Sequence, residues 1–106
     1  MLELIAGMLF SVLPVESVLT IQPVERPATR AEIERAAVGR TLIGVMTYST
    51  DGRYSYGTAS TGNYTIADGQ VCVTFDRGGY RCDRIVTLDG TDLALINARG
   101  ERFVYK

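Results

Sequence analysis

The sequence predicts a mainly β fold, an antiparallel up-and-down meander that closes into a small barrel or half-barrel and is preceded by one short α-helix. Turn dipeptides such as Asp51-Gly52 and Asp68-Gly69 recur about every ten residues, which is the spacing of consecutive hairpins. No stretch between the predicted strands is long enough for a helical crossover, so parallel pairing is excluded. The 106 residues suffice for one domain of modest size.

Residues 1–22 are mostly apolar, and no charge interrupts the run from 4 to 13. This run is too short for a membrane-spanning helix, which needs about 20 residues, but it suits the apolar region of a secretory signal. Two features do not fit a signal, because Glu3 stands where a positive charge belongs and no Ala-x-Ala cleavage site follows. We expect a leader or membrane-proximal segment here, with a packed N-terminal helix or strand as the alternative.

Residues 23–40 are expected to form a proline-containing linker and a short capping helix. Pro23 and Pro27 favour an extended backbone. Thr29 and Glu32 then match a capping box, in which the hydroxyl accepts from the amide of Glu32 and the carboxylate accepts from the amide of Thr29. A helix of about nine residues does not persist alone in water, so it must dock on the sheet.

The apolar stripe of this helix consists of Ile33, Ala36 and Ala37, and Gly39 is a natural stop. Docking across an open end of the sheet leaves two interpretations. The helix is either a plug that completes the core, which we favour, or a lid over a cavity.

Residues 41–106 form the predicted meander. Val71, Val73 and Phe75 show the period of two that is typical of a strand with one buried face. A sheet with this many short strands tends to curl on itself, because curling removes exposed edges. The predicted strands cover 41–49, 53–60, 63–67, 70–75, 79–88, 92–97 and 101–106.

Cys72 and Cys82 flank a sequence, Phe75 to Gly79, that suits a three-residue hairpin turn. Pairing Phe75 with Gly79 places the cysteines directly opposite each other at a non-hydrogen-bonded position, within disulfide range. A bridge there would contribute about 2–3 kcal/mol in the chain-entropy model. We predict a disulfide, with two buried free thiols as the alternative. A disulfide favours an oxidising compartment, such as a periplasm or the cell exterior.

The same register places Val73 opposite Arg81 and Val71 opposite Asp83, which suits a half-exposed strand. Asp83, between Arg81 and Arg84, is therefore expected to belong to a charge cluster on the strand surface. A shift of one residue pairs apolar groups better, but it sends the two sulfurs to opposite faces.

Several of these motifs together resemble small exported proteobacterial proteins of uncharacterised function that look lipocalin-like, with a short helix before a β-meander. The resemblance implies export and a barrel-like fold, and it implies no reaction. The residues that carry it are Thr29–Ile33, Gly39–Gly44, Tyr48–Gly52, Gly62–Ile66, Asp68–Cys72 and Cys82.

Composition excludes several classes of function. The chain has no histidine, which removes Ser-His-Asp and Cys-His catalysis and every His-containing zinc site. Two cysteines alone cannot close a zinc site, and a net charge of −1 lacks the broad cationic field of non-specific nucleic-acid binding. We expect no enzymatic activity, metal, cofactor or nucleic-acid partner, and membrane contact only through residues 1–22 if they are not cleaved.

Tyrosines are the candidate recognition set, because aromatic rings with polar tips suit a ligand pocket or a protein interface. The alternative is that they are barrel-wall residues with their hydroxyls at the rim. The candidate ligand-binding residues are Tyr48, Tyr54, Tyr56, Tyr64 and Tyr80.

The leading hypothesis for function is an exported, non-enzymatic binding module, periplasmic or secreted, for a small apolar ligand or an envelope partner. The alternative is a structural or protein-interaction domain, resembling an inhibitor, with a packed interior.

Overall fold

An antiparallel sheet of eight consecutive strands dominates the computed structural model, which describes residues 24–106. Each strand of this sheet pairs with the next along the chain, and the sheet curls into a half-barrel, which confirms the predicted fold class. The expected leader, residues 1–22, lies outside the described residues. The elements are β1 (Arg26–Pro27), α1 (Arg30–Ala37), β2 (Thr41–Leu42), β3 (Met46–Tyr48), β4 (Arg53–Tyr56), β5 (Ser60–Ala67), β6 (Gln70–Phe75), β7 (Tyr80–Thr87), β8 (Leu93–Ile96) and β9 (Arg102–Val104).

Strand β1 lies within the segment that the sequence predicts to be an extended linker, and it joins the sheet. Pro27 pairs with Val86 in β7. The next residue, Ala28, donates its amide to the carbonyl of Ile85 at 2.9 Å and accepts from the amide of Gly69 at 2.7 Å. Because proline has no amide hydrogen, an edge position such as β1 is one of the few places where a sheet tolerates it.

The predicted strand 41–49 is divided into β2 and β3 by a tight turn. Ile43 and Gly44 adopt positive φ angles of 54° and 78° there. Gly44 accepts this conformation without strain, whereas a positive φ is uncommon for Ile43. The surrounding apolar residues continue the strand-like pattern through the turn, which is why the sequence predicts one strand.

A second strand boundary differs from the prediction, because Gly62 lies within a strand and not in the turn before it. The chain turns at Gly57, and β5 begins at Ser60, three residues before the predicted start of that strand. A Cβ atom on Gly62 would lie 2.4 Å from the carbonyl oxygen of Thr74. Glycine therefore permits the close approach of two strands at this point.

Helix α1 begins with the predicted capping box. The hydroxyl of Thr29 accepts from the amide of Glu32 at 3.1 Å, and Oε1 of Glu32 accepts from the amide of Thr29 at 2.9 Å. Ile33 and Ala37 are fully buried in the core. The stripe that the sequence identifies is therefore the docked face of the helix.

The helix lies across one end of the half-barrel. Its first amide, that of Arg30, donates to Asp68 in the β5–β6 turn at 2.7 Å. Val38, which follows its last residue, pairs with Tyr48 at the end of β3. These contacts and the burial of the apolar stripe support the plug and not the lid.

One backbone hydrogen bond joins the two ends of the sheet. The amide of Ile43, directly after β2, donates to the carbonyl of Lys106, two residues after β9, at 2.7 Å. This hydrogen bond bridges the gap between the first and last strands of the half-barrel, which we call the seam.

The β6–β7 hairpin has the predicted register and the predicted disulfide. The amide of Phe75 donates to the carbonyl of Gly79 at 3.0 Å, and Cys72 pairs with Cys82 across the strands. The two Cα atoms are 4.0 Å apart, and the sulfurs are bonded. The expectation of a half-exposed strand is wrong for the face of β6 that carries Val71 and Val73, because each of these side chains is only 1% exposed.

We predict that breaking the Cys72–Cys82 bridge lowers the free energy of unfolding by about 2–3 kcal/mol, because the unfolded chain regains the entropy of an open loop. Urea unfolding with and without a thiol reductant measures the loss. The Cys72→Ala/Cys82→Ala double variant is the control, and it should unfold at the same urea concentration under both conditions. An unchanged midpoint for the reduced wild-type protein would contradict the prediction.

We also predict a specific acid dependence for the cap of α1. Hydrogen bonds from Arg26, and then from Thr29, lower the pKa of Glu32 to about 2 from 4.5. Folding lowers this pKa, so the carboxylate stabilises the folded state above the unfolded value and this contribution is lost as the pH falls toward about 2. In thermal unfolding the wild type should have a higher unfolding temperature than Glu32→Gln, and this gap should narrow as the pH is lowered.

Glu34→Gln is the matched control for the cap, since it removes a carboxylate of the same helix and no cap hydrogen bond. A gap between the wild type and Glu32→Gln that stays constant from neutral pH to about pH 2 would show that Glu32 acts through something other than its charge.

Candidate functional site

Aromatic rings fill the centre of the half-barrel. The ring of Tyr48 lies 5.7 Å from that of Tyr54, 5.1 Å from that of Tyr64 and 5.9 Å from that of Tyr105, measured between centroids. Phe75 extends the group with an edge-to-face contact to Tyr54 at 6.0 Å. Such tilted and edge-to-face geometries are favourable for aromatic pairs. The centre of the fold is therefore packed.

The five candidate tyrosines occupy three different environments. Tyr48 and Tyr54 are buried in the core, and Tyr64 is partly buried, with its hydroxyl donating to the carbonyl of Ser49 at 2.6 Å. Tyr56 is 45% exposed and Tyr80 is 69% exposed. The structure thus brings three of the five together in the core and places only Tyr56 beside a cavity.

A cavity of about 480 Å³ lies at the mouth of the half-barrel, at the end opposite α1. Its wall combines apolar side chains from both sides of the seam with a charged pair on β7 and the β8–β9 turn. We call it the mouth cavity. The lining residues are Ile43, Met46, Tyr56, Arg81, Asp83, Leu95, Asn97, Ala98, Arg99, Glu101 and Phe103.

A second, smaller cavity of about 330 Å³ lies beside α1. Polar and charged side chains make up most of its wall, among them Arg35, Arg40 and Asp92. It offers a small molecule less apolar contact than the mouth cavity, so the mouth cavity is the stronger candidate site.

Arg81 and Asp83 form a charged pair inside the half-barrel. Nε of Arg81 donates to Oδ2 of Asp83 at 2.9 Å, and the Asp83 side chain is 2% exposed. The expected surface charge cluster is therefore wrong for Asp83. Side chains alternate along a strand, so Asp83 shares the inner face with Val71, which is opposite it in the register.

The guanidinium of Arg81 lies over aromatic rings as well as beside a carboxylate. Its Cζ atom is 5.5 Å from the ring centroid of Phe75 and 6.0 Å from that of Tyr54, which is a cation–π geometry. Partial burial lowers its pKa, but the hydrogen bond with Tyr54 and the charge of Asp83 outweigh burial, so the pKa of Arg81 is raised. Arg81 is therefore a fixed cation in the cavity wall.

The β8–β9 turn forms the polar rim of the mouth cavity. Oε1 of Glu101 accepts from Nδ2 of Asn97 at 2.7 Å and from Nη2 of Arg99 at 2.8 Å. These bonds hold the turn together and supply Oε1 of Glu101 with donors from the turn itself.

Two buried polar atoms have no hydrogen-bond partner among the described residues, namely Oδ1 of Asp83 and the hydroxyl of Tyr105. Neither residue is among the candidate site residues that the sequence indicates. Two signals in the sequence could have indicated them. The cysteine register places Asp83 opposite Val71, and the spacing of Phe103 and Tyr105 puts both side chains on one face of a strand.

Within residues 24–106, no group of three or more histidine, cysteine, aspartate or glutamate side chains is arranged to hold a metal ion. None of the helical structure described here is long and apolar enough to cross a bilayer.

Comparison of the chain with protein-family models, with curated proteins and with solved structures finds no match. The mouth cavity and the disulfide are therefore the features of the molecule that bear on its function.

Burial raises the pKa of Tyr48 and of Tyr105 well above the usual range. We predict that the Tyr48→Phe/Tyr105→Phe variant gives the same phenolate absorbance as the wild type when folded at about pH 11. In denaturant at that pH its phenolate absorbance should be lower than that of the unfolded wild type by the contribution of two of the six tyrosines. Ultraviolet absorbance titration measures both.

Tyr80→Phe is the matched control, since it makes the same chemical change at a solvent-exposed ring. A phenolate absorbance of the folded double variant below that of the wild type would show that the central tyrosines are open to hydroxide. The double variant should fold, because Tyr48 gives up one weak hydrogen bond, to the Met46 sulfur at 3.6 Å, and the buried Tyr105 hydroxyl has no hydrogen-bond partner among the described residues.

Proposed function

We propose that this protein is an exported, non-enzymatic binding module that holds a small, predominantly apolar ligand in its mouth cavity. The mouth cavity is the observation that carries the proposal. Its volume of about 480 Å³ lies within the range typical of small-molecule pockets, about 300–1,000 Å³.

The composition of the cavity wall supports an apolar ligand. Ile43, Met46, Leu95 and Phe103 supply apolar surface, and Tyr56 adds an aromatic ring at the edge. Burying apolar surface of a ligand against such a wall is favourable by about 25 cal/mol per Å². Because aromatic rings pack the centre of the half-barrel, the ligand is confined to the mouth.

The disulfide supports an exported location. Such bridges persist in oxidising compartments and are rare in the reducing cytosol. The Cys72–Cys82 bridge is compatible with a periplasmic or secreted protein, as is the resemblance to exported lipocalin-like proteins. An envelope protein is the second kind of partner that this location suggests.

A structural or protein-interaction domain without a ligand is the second candidate function. The packed centre favours it, since Tyr48, Tyr54 and Ile85 are each no more than 2% exposed. The two candidates differ in whether the mouth cavity takes up a small molecule, and one binding experiment separates them.

We predict saturable, one-to-one binding of the neutral fluorescent dye N-phenyl-1-naphthylamine, seen as enhanced dye emission. Ala98→Trp places an indole at the cavity wall and should weaken binding by at least about ten-fold, because the indole competes for the same space.

Ala31→Trp is the matched control for the blocking variant. It puts the same side chain on the exposed face of α1, at the far end of the half-barrel, and should bind the dye as the wild type does. Absence of saturable binding to the wild type would favour the interaction domain. Equal binding by Ala98→Trp and the wild type would place the dye outside the mouth cavity.

A further inference from the structure

The charges on the wall of the mouth cavity are already balanced. Arg81 pairs with Asp83 at 2.9 Å, and Arg99 pairs with Glu101 at 2.8 Å. These four are the charged residues among those that line the cavity. A charged ligand group would give up its hydration on entry without meeting an unpaired opposite charge, so an uncharged ligand fits this wall better.

Asp83 retains a hydrogen-bonding capacity that its ion pair does not use. Oδ2 accepts from Arg81, whereas Oδ1 is buried and has no partner within the described part of the chain. An unsatisfied buried acceptor is costly, and a donor supplied from the cavity removes that cost.

Arg81 offers the complementary group beside Asp83. Nε donates to Asp83 and Nη2 to the hydroxyl of Tyr54, while Nη1 makes no hydrogen bond to any described residue. The side chain is 39% exposed, so a ligand in the cavity has access to the guanidinium. A donor and an acceptor therefore lie next to each other beside the apolar part of the cavity wall.

We propose, building on the proposed binding function, that the ligand class is an uncharged amphiphile with an apolar body and a hydroxyl group. The hydroxyl oxygen accepts from the guanidinium of Arg81, and the hydroxyl hydrogen is donated to the carboxylate of Asp83. A hydroxyl is the smallest neutral group that does both. Carboxylates lack the donor, and ammonium groups lack the acceptor and are repelled by Arg81.

Four probes with the same ten-carbon chain test this assignment by displacement of N-phenyl-1-naphthylamine: decan-1-ol, decyl methyl ether, decanoate and decylamine. The alcohol should bind at least about ten-fold more tightly than each of the others, because only the alcohol is neutral and also satisfies both groups. The ether isolates the hydroxyl hydrogen, since it keeps the oxygen acceptor and the zero charge.

Asp83→Asn should change this order in a defined way. The advantage of the alcohol over the ether should shrink, and decanoate should gain at least about ten-fold relative to the alcohol, because Arg81 loses its counter-charge. Asp51→Asn is the matched control. It makes the same chemical change in the β3–β4 turn, at the end of the half-barrel that carries α1, and should keep the wild-type order.

The outcomes are separable. Tightest binding of decanoate or decylamine to the wild type, or equal binding of the alcohol and its ether, overturns the hydroxyl assignment while the binding function stands. Failure of the dye and of all four probes to bind overturns the proposed function itself. If Asp83→Asn does not fold, the order of the four probes on the wild-type protein decides the question.

Discussion

The pairing register of the β6–β7 hairpin determines which side chains of this protein face inward. Cys72 and Cys82 lie opposite each other, and the covalent bond between them prevents a slip of one residue. Such a slip would move every inward side chain of β7 to the outer face. With the register held, Val71 and Val73 point into the core, and Asp83 is carried inward with them.

The inward position of Asp83 is costly for folding and informative for function. Burying a carboxylate requires compensation, and Arg81 supplies part of it through one charge-assisted hydrogen bond. An apolar residue of similar volume would pack against Val71 without this requirement. A charged pair at the boundary between the aromatic centre and the mouth cavity is therefore difficult to explain by stability alone, and it is well placed to orient a ligand.

Local patterns in the sequence were enough to predict most of the fold. The capping box at Thr29 and Glu32, the hairpin register and the disulfide follow from neighbouring residues and from simple geometry, and the structure confirms all three. The turn at Ile43 was not predicted, because the apolar residues around it continue the strand pattern. The strand position of Gly62 was not predicted, because glycine is a turn signal and the close approach to Thr74 that requires it is not visible in the sequence.

The candidate site was less accessible to sequence reasoning than the fold. The selected tyrosines are mostly core residues here, and only Tyr56 borders the mouth cavity. The cavity arises where Ile43 and Phe103, which are far apart in sequence, face each other across the seam. Curvature of the whole sheet creates that proximity, and no local pattern reports it.

Strand β7 pairs with β6 along its first half and with β8 and β1 along its second half, and the charged pair lies in the half that pairs with β6. Every residue from Tyr80 to Thr87 pairs with β6, β8 or β1. Cys82 lies between Arg81 and Asp83, so the disulfide ties the backbone of the charged pair to β6. The backbone that carries Arg81 and Asp83 is thus preorganised, and a ligand of the proposed class would lose little free energy to ordering its receptor.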